Sequence, residues 1–179
     1  MKKQVLVDSQ WLKVTMETVR FPSGTVIKDF YIAERPPYVA IVPILGNREI
    51  LLVRQYRHGS RQTILNVPMG VIDKNEKPIN TARRELIEET GYHARNISSL
   101  GTFQNNPAFL RLTCHLFLAR NLIKKTIRHT DANEHTEIIC LPLEKVIRKI
   151  FNGEIQDMTT VIGVLGASLI LTKKLSIQL

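Results

Sequence analysis

Two apolar runs constrain the fold of this chain more than any other feature. Tyr38-Val-Ala-Ile-Val-Pro-Ile-Leu45 and Glu49-Ile-Leu-Leu-Val-Arg-Gln-Tyr56 are nearly continuous in hydrophobic character, and only Gly46-Asn47-Arg48 separates them. A strand with one wet face alternates apolar and polar residues, whereas a run without alternation is buried on both faces. Helices must therefore cover the sheet these runs enter, and the short connection predicts a hairpin between them. The chain has 179 residues, about one domain, and a domain of that size hides roughly two-thirds of its unfolded surface.

Before these runs, residues 4–34 read as antiparallel strands broken by the turn Phe21-Pro22-Ser23-Gly24. Such a lobe has little core of its own and needs something to pack against, such as a second copy of the chain. Pro36-Pro37 closes it, which divides the chain into an N-terminal β lobe at 1–37 and a main domain at 38–179. Helices are expected over 78–90, 143–151 and 157–172, and further strands near 98–104, 112–119 and 137–142. The order of strands, helix, strands and helices is a mixed α/β plan around a central sheet.

Lys and Arg total 25 against 16 Asp and Glu, a formal net charge of +9. A basic balance favours anionic partners: nucleic acid, a phosphorylated small molecule or a membrane surface. The basic residues are dispersed, with no Arg/Lys-rich tract and no stacking-aromatic motif, which speaks against nucleic acid. The late apolar stretch Val161 to Leu171 is about 11 residues long, short of the ~20 that cross a bilayer. The N-terminal apolar run is too short for a signal peptide, so a cytoplasmic protein is expected. Cys114 and Cys140 form no metal-binding spacing and read as reduced core thiols.

The chemistry concentrates in residues 70–92. Pro78 suits the first helical turn and Gly91 suits the left-handed position that ends a helix. On a helical wheel Ile79, Ala82 and Leu86 form a narrow apolar stripe, and Glu85, Glu88 and Glu89 fall on an adjoining arc. Carboxylates spaced i,i+3 and i,i+4 repel one another, by about 0.2–0.5 kcal/mol per pair. A divalent cation reverses the sign of that interaction. Hard carboxylate oxygens suit Mg²⁺, or Mn²⁺, rather than zinc, and leave positions for water and phosphates.

Gly70, Glu76, Arg84, Glu85, Leu86, Glu88, Glu89, Gly91 and Tyr92 match G-x5-E-x7-R-E-U-x-E-E-x-G-U, with U a bulky apolar residue. The segment therefore resembles the Nudix box. At roughly 7% usage per residue, seven fixed identities coincide by chance with a probability of about 10⁻⁸. The resemblance implies an α+β fold, the Nudix α/β/α sandwich with a mixed central sheet. It also implies a hydrolase that cleaves a nucleoside diphosphate linked to another moiety. On this reading Glu85 and Glu89 are the principal metal ligands, with Glu88 and the carbonyl of Met69 adding to them. Glu88 is also a catalytic candidate. Arg84, paired with Glu76, holds the loop on the helix. The implied cofactor is Mg²⁺, with Mn²⁺ the substitute.

Outside the box the chain resembles the ADP-ribose pyrophosphatase group. Val53-Arg54-Gln55-Tyr56-Arg57 resembles its Q-Y-R strand, which makes Arg57, and less directly Arg54, candidates for diphosphate binding. Asn66-Val67-Pro68-Met69-Gly70 resembles its E-L-P-A-G, with Asn66 replacing a glutamate and so removing one acidic contact. Pro107 lies close to the group's marker proline. Asn105-Asn106-Pro107-Ala108-Phe109 lacks the S-P-G pattern, and Phe109 is the candidate for contact with the base or sugar. Gly153 to Asp157 and the helix after them resemble the group's C-terminal end. The loop His129 to Glu137 resembles the acidic loop that supplies a base, with Glu134 favoured over Glu137. The group's dimers pair their N-terminal lobes, so a homodimer is implied. The substrate implied is ADP-ribose or a related nucleoside diphosphate sugar. The alternatives are hydrolysis of RNA 5′ ends or free nucleotides, and a non-catalytic nucleotide-sugar-binding regulator.

Overall fold

The computed structural model describes residues 2–46, 48–125 and 136–172. Its N-terminal lobe consists of β1 (Lys3–Asp8), β2 (Lys13–Arg20) and β3 (Val26–Glu34), paired antiparallel in sequence order. A two-residue strand, β9 (Leu110–Arg111), adds to β3 in parallel. The lobe thus recruits a piece of chain from far beyond residue 37.

Two further sheets make the body. One has the order β7-β4-β10-β8, formed by β4 (Tyr38–Pro43), β7 (Met69–Val71), β8 (Tyr92–Gln104) and β10 (Thr113–Lys124). It is mixed, because β4 and β10 run parallel while β7 and β8 pair antiparallel to their neighbours. The other is antiparallel, with β5 (Glu49–Arg57) between β11 (Glu137–Pro142) and β6 (Gln62–Asn66). Three helices complete the body: α1 (Pro78–Thr90), α2 (Leu143–Phe151) and α3 (Met158–Leu171).

The alternation along β4 explains the layering. Val39 and Ile41 pack with Phe117 and Ala119 of β10 against Ala82 and Leu86 of α1. Ala40 and Val42 point the other way and pack with Leu116 and Leu118 against Val146 of α2 and Val164 and Ala167 of α3. Both faces of the strand are dry, as its unbroken apolar run requires. Full burial of each large aliphatic side chain contributes about 1.5–3 kcal/mol.

The expected hairpin does not form. The two apolar runs pair only at the isolated bridge between Ile44 and Ile50, beside the Leu45 N–H bond to the Glu49 carbonyl, although their side chains share one core. Each run is instead the inner strand of its own sheet: β4 lies between β7 and β10, and β5 lies between β11 and β6. A strand has two hydrogen-bonding edges, and these neighbours occupy both. The expected helices agree with α1, α2 and α3 to within a residue, while β8 and β10 run longer than expected. Cys114 is buried, but Cys140 is exposed rather than in the core, because it lies on edge strand β11. Among the described residues no helix is long and apolar enough to cross a membrane.

Candidate active site

Helix α1 starts without a side-chain cap on Lys77, and Pro78 stands where a missing N–H costs nothing. It ends at Gly91, whose φ of 74° is the left-handed conformation that glycine adopts without penalty. Thr81, Ala82, Leu86 and Thr90 form its buried stripe. That stripe fixes the rotation of the helix and turns Arg84, Glu85 and Glu88 towards the chain between β7 and α1.

The closest approach there is between Glu85 and Gly70. A Cβ on Gly70 would stand 2.0 Å from the carboxyl carbon of Glu85 and 2.1 and 2.4 Å from its oxygens. Any side chain at position 70 would displace the carboxylate, so glycine here is what lets Glu85 take this position. Glu85 is only 13% exposed. Burial pushes its pKa up, while the charge and hydrogen bond of Arg84 hold it down in part.

Arg84 gathers the acidic groups. Its guanidinium reaches Glu85 at 2.7 Å, Glu88 at 2.9 Å, Glu76 at 3.1 Å and Asp73 at 3.7 Å. It also donates to the carbonyl of Val71 at 3.4 Å. Burial opposes its charge, yet hydrogen bonds to Glu76 and Glu88 and the charge of Glu85 hold its pKa above the usual value. Hydrogen bonds from Arg84 and then from Thr81, the latter at 2.8 Å, lower the pKa of Glu76. Arg84 therefore joins the loop to the helix, as the resemblance implies, and it also contacts two of the candidate metal ligands.

Four carboxylates around one guanidinium leave an excess of three negative charges. Glu89 lies one turn beyond Glu85 with its Oε2 out of contact with solvent. Among the described residues no three His, Cys, Asp or Glu side chains are already arranged as a cation cage. The donor set is nevertheless all oxygen and anionic, and Gly70 cradles Glu85 against β7. Those features fit a hard divalent cation.

The position of Met69 adds a further oxygen. The carbonyl of Pro68 accepts from Ile41 N–H at 2.9 Å, and Ile72 N–H donates to the carbonyl of Pro37 at 3.0 Å. Backbone groups alternate in direction along an antiparallel ladder. The Met69 carbonyl therefore faces away from β4, over the free edge of β7.

The other sequence candidates disperse. Arg57 is half-buried at the end of β5 and shares a face of that strand with the buried Gln55. Arg54 is three residues earlier and so lies on the opposite face. It is ion-paired to Glu137 of β11 at 2.9 Å and lines a groove with Lys145 and Lys149 of α2. The structure thus separates the two arginines, and it engages Glu137 with Arg54 instead of with the box. Phe109 is exposed beside β9, where its carbonyl accepts from Ala33 N–H at 2.9 Å. Asn105 donates to Tyr38 Oη at 2.9 Å. Glu134 lies outside the described residues.

Asn66 is fully buried, accepts from Gln55 at 3.3 Å and donates to the carbonyl of Val67 at 2.9 Å. Sequence reading missed one group here. The hydroxyl of Thr160 accepts from Val67 N–H at 3.1 Å and donates to Asp157 at 2.7 Å. The available signal was the spacing Asp157-x-x-Thr160 ahead of an apolar helix, an N-cap pattern.

Known proteins resemble this chain in sequence and in fold. A family model described as NUDIX domain matches residues 34–159. The chain is 31% identical over 159 residues to an ADP-ribose pyrophosphatase of Bacillus subtilis (strain 168), covering 88% of this chain and 85% of that protein. It is 33% identical over 164 residues to a methanol dehydrogenase activator of Bacillus methanolicus, covering 91% and 88%. A crystal structure of ADP compounds hydrolase superposes with a TM-score of 0.85 over 97% of this chain and 94% of that one. At 21% identity that likeness speaks to the fold alone.

Proposed function

The chain belongs to the Nudix family, and on that premise we propose that it is a Mg²⁺-dependent pyrophosphohydrolase of ADP-ribose or a related nucleoside diphosphate sugar. The observation that carries this reading is the Glu85 carboxylate packed onto Gly70 within an anionic group centred on Arg84. Relatives of similar identity over nearly the whole chain include the ADP-ribose pyrophosphatase.

In the reaction, water adds to one phosphorus of the diphosphate and the bond from that phosphorus to the bridging oxygen breaks. The products are a nucleoside monophosphate and a sugar phosphate, and two protons are released when both monoesters are fully ionised. Glu85, Glu89, Glu88 and the Met69 carbonyl would hold Mg²⁺, with Mn²⁺ as a substitute. When bound, the ion offsets charge developing on the phosphoryl oxygens and acidifies water. Arg84 keeps Glu76, Glu85 and Glu88 in register and so holds the loop onto the helix. Arg57 offers a planar guanidinium to the diphosphate. Phe109 provides an exposed ring for the base or sugar. Glu88 or Glu134 takes the proton from water. The exposed apolar side chains of the lobe, among them Val5, Val7, Trp11 and Tyr31, support a homodimer. The cytoplasm is the proposed compartment.

The test is phosphate release in a phosphatase-coupled assay, with Mg²⁺ and with EDTA. The panel holds ADP-ribose, GDP-mannose, UDP-glucose, NADH, free nucleoside triphosphates and a 5′-triphosphate RNA. Metal-dependent cleavage concentrated on ADP-ribose or one sugar nucleotide is the expected result. Preference for RNA or triphosphates defeats the substrate class. Binding of sugar nucleotides without cleavage defeats catalysis.

A further inference from the structure

Two adjacent threonines open α3, and each bonds a different flank of the candidate site. Thr159 Oγ1 lies 2.7 Å from the Tyr38 hydroxyl, which in turn accepts from Asn105. Thr160 Oγ1 accepts from Val67 N–H at 3.1 Å. Both threonines lie far in sequence from the box, and neither belongs to the carboxylate group around Arg84.

The direction of the Thr160 bonds is set by chemistry. Val67 N–H can only donate, so the hydroxyl accepts there. Its own proton goes to Asp157 Oδ2 at 2.7 Å, and the same carboxylate oxygen caps the helix by accepting from Thr160 N–H at 2.7 Å. Thr160 and Val67 are both fully buried. The bond therefore operates away from water, where leaving one partner unsatisfied carries the desolvation cost in full.

Val67 matters because it leads into the metal-facing turn of the chain. Pro68 has a fixed φ, and its ring restricts Val67 to extended backbone. The Pro68 carbonyl is bonded to Ile41 N–H. The chain is thus pinned at Val67 by α3 and at Pro68 by β4. The next residue is Met69, whose carbonyl faces off the edge of β7, and the next is Gly70 against Glu85. With the Val67 N–H bond removed, the segment keeps its pairing to β4 and the Asn66 side chain on the Val67 carbonyl, but loses its tie to α3.

We propose that Thr160 is a positioning residue for the Met69–Gly70 segment: acting through Val67 N–H and held by Asp157, it sets where the Met69 carbonyl and the Glu85 carboxylate meet a divalent cation. This rests on the metal-dependent reading above. Groups that orient metal ligands from behind are typically worth about 10–100-fold in metal affinity.

The experiment uses the full chain stripped of metal, titrated with Mn²⁺ alone and followed by the electron paramagnetic resonance signal of free Mn²⁺. A parallel series measures ADP-ribose turnover against Mg²⁺ concentration. Thr160→Val keeps the shape and removes the hydroxyl. It should weaken Mn²⁺ binding about 10-fold or more and raise the Mg²⁺ needed for half-maximal turnover by the same factor. Thr160→Ser should restore both. Thr159→Val loses a hydroxyl bond of the same kind, but to Tyr38, and should leave Mn²⁺ affinity at the wild-type value. If Thr160→Val does not fold, Asp157→Ser replaces it. Serine also caps well, and its shorter side chain should weaken Mn²⁺ binding in the same direction.

Wild-type affinity in Thr160→Val, or equal weakening by Thr159→Val, overturns the positioning role while wild-type Mn²⁺ binding leaves the functional reading intact. A wild-type chain that neither binds Mn²⁺ nor turns over ADP-ribose overturns both, with a signature seen before any variant is made.

Discussion

The N-terminal lobe and the layer around β4 are both β structure, yet they stand on different physics. Along β1, β2, β3 and β9 Thr15 alone is buried, and Val5, Leu6, Val7, Trp11 and Tyr31 are exposed. Along β4, Val39 to Val42 are fully dry, with helices on both sides. The lobe is held by backbone pairing and by surface ion pairs such as Glu17 with Lys3 and Arg111. Those pairs contribute little individually. The body is held by apolar burial, which also fixes the rotation of α1 and so brings the Glu85 carboxylate against Gly70. A catalytic constellation belongs on the second kind of scaffold, and an interface belongs on the first.

The largest expected effect is in the body. Ile41→Ala removes a fully buried side chain from the layer that seats Leu86 of α1, and should cost about 2–5 kcal/mol. Val7→Ala in the lobe should stay within about 0.5 kcal/mol. Urea unfolding at low protein concentration measures both. A homodimer that covers the lobe makes the Val7→Ala cost grow with protein concentration. Similar costs at every concentration would erase the contrast between lobe and body.

Next come Glu88→Gln and Glu89→Gln. Each should lower turnover by at least ~10², equivalent to about 2.7 kcal/mol in the barrier. Glu88 is 47% exposed, and its ion pair with Arg84 is of the kind worth about 0–1 kcal/mol. Stability should therefore move little in Glu88→Gln while activity collapses. Steady-state kinetics and a melting curve on the same sample separate the two. Turnover like that of the wild type in both variants would remove the box helix from the chemistry.

What was legible in the sequence divides along the same line. Local signals carried through: Pro78 and Gly91 bound α1 at the expected residues, and Arg84 meets Glu76 as the box spacing implies. Long-range pairing did not. Nothing between Leu45 and Glu49 distinguishes a hairpin from two strands that part into separate sheets, because that choice depends on β10 and β11, far along the chain. Arg57, and less directly Arg54, read as candidates for diphosphate binding, and the period of two along β5 puts them on opposite faces of the strand. Asp157-x-x-Thr160 marks a helix cap in the sequence, but the reach of Thr160 to a backbone N–H 93 positions away does not show there, because backbone donors leave no mark in a sequence.

Tyr38 stands where lobe and body meet, and it yields the smallest effect. It begins β4, and its hydroxyl joins Thr159 of α3 to Asn105, whose loop leads into β9 of the lobe. Burial pushes its pKa from 10.0 up to about 12, although the hydrogen bonds to Thr159 and Asn105 favour ionisation. Between those two values the unfolded chain has lost a phenolic proton that the native protein still holds. The stability linked to Tyr38 is therefore complete below pH 10 and declines as pH rises towards 12. Tyr38→Phe removes this contribution, so the alkaline fall in its urea midpoint between pH 10 and 12 should be shallower than in the wild type. An ultraviolet titration should lose its latest tyrosine transition in the same variant. Identical alkaline limbs in the two proteins would mean that the junction is wet, and that the lobe is tied to the body by β9 pairing rather than through Tyr38.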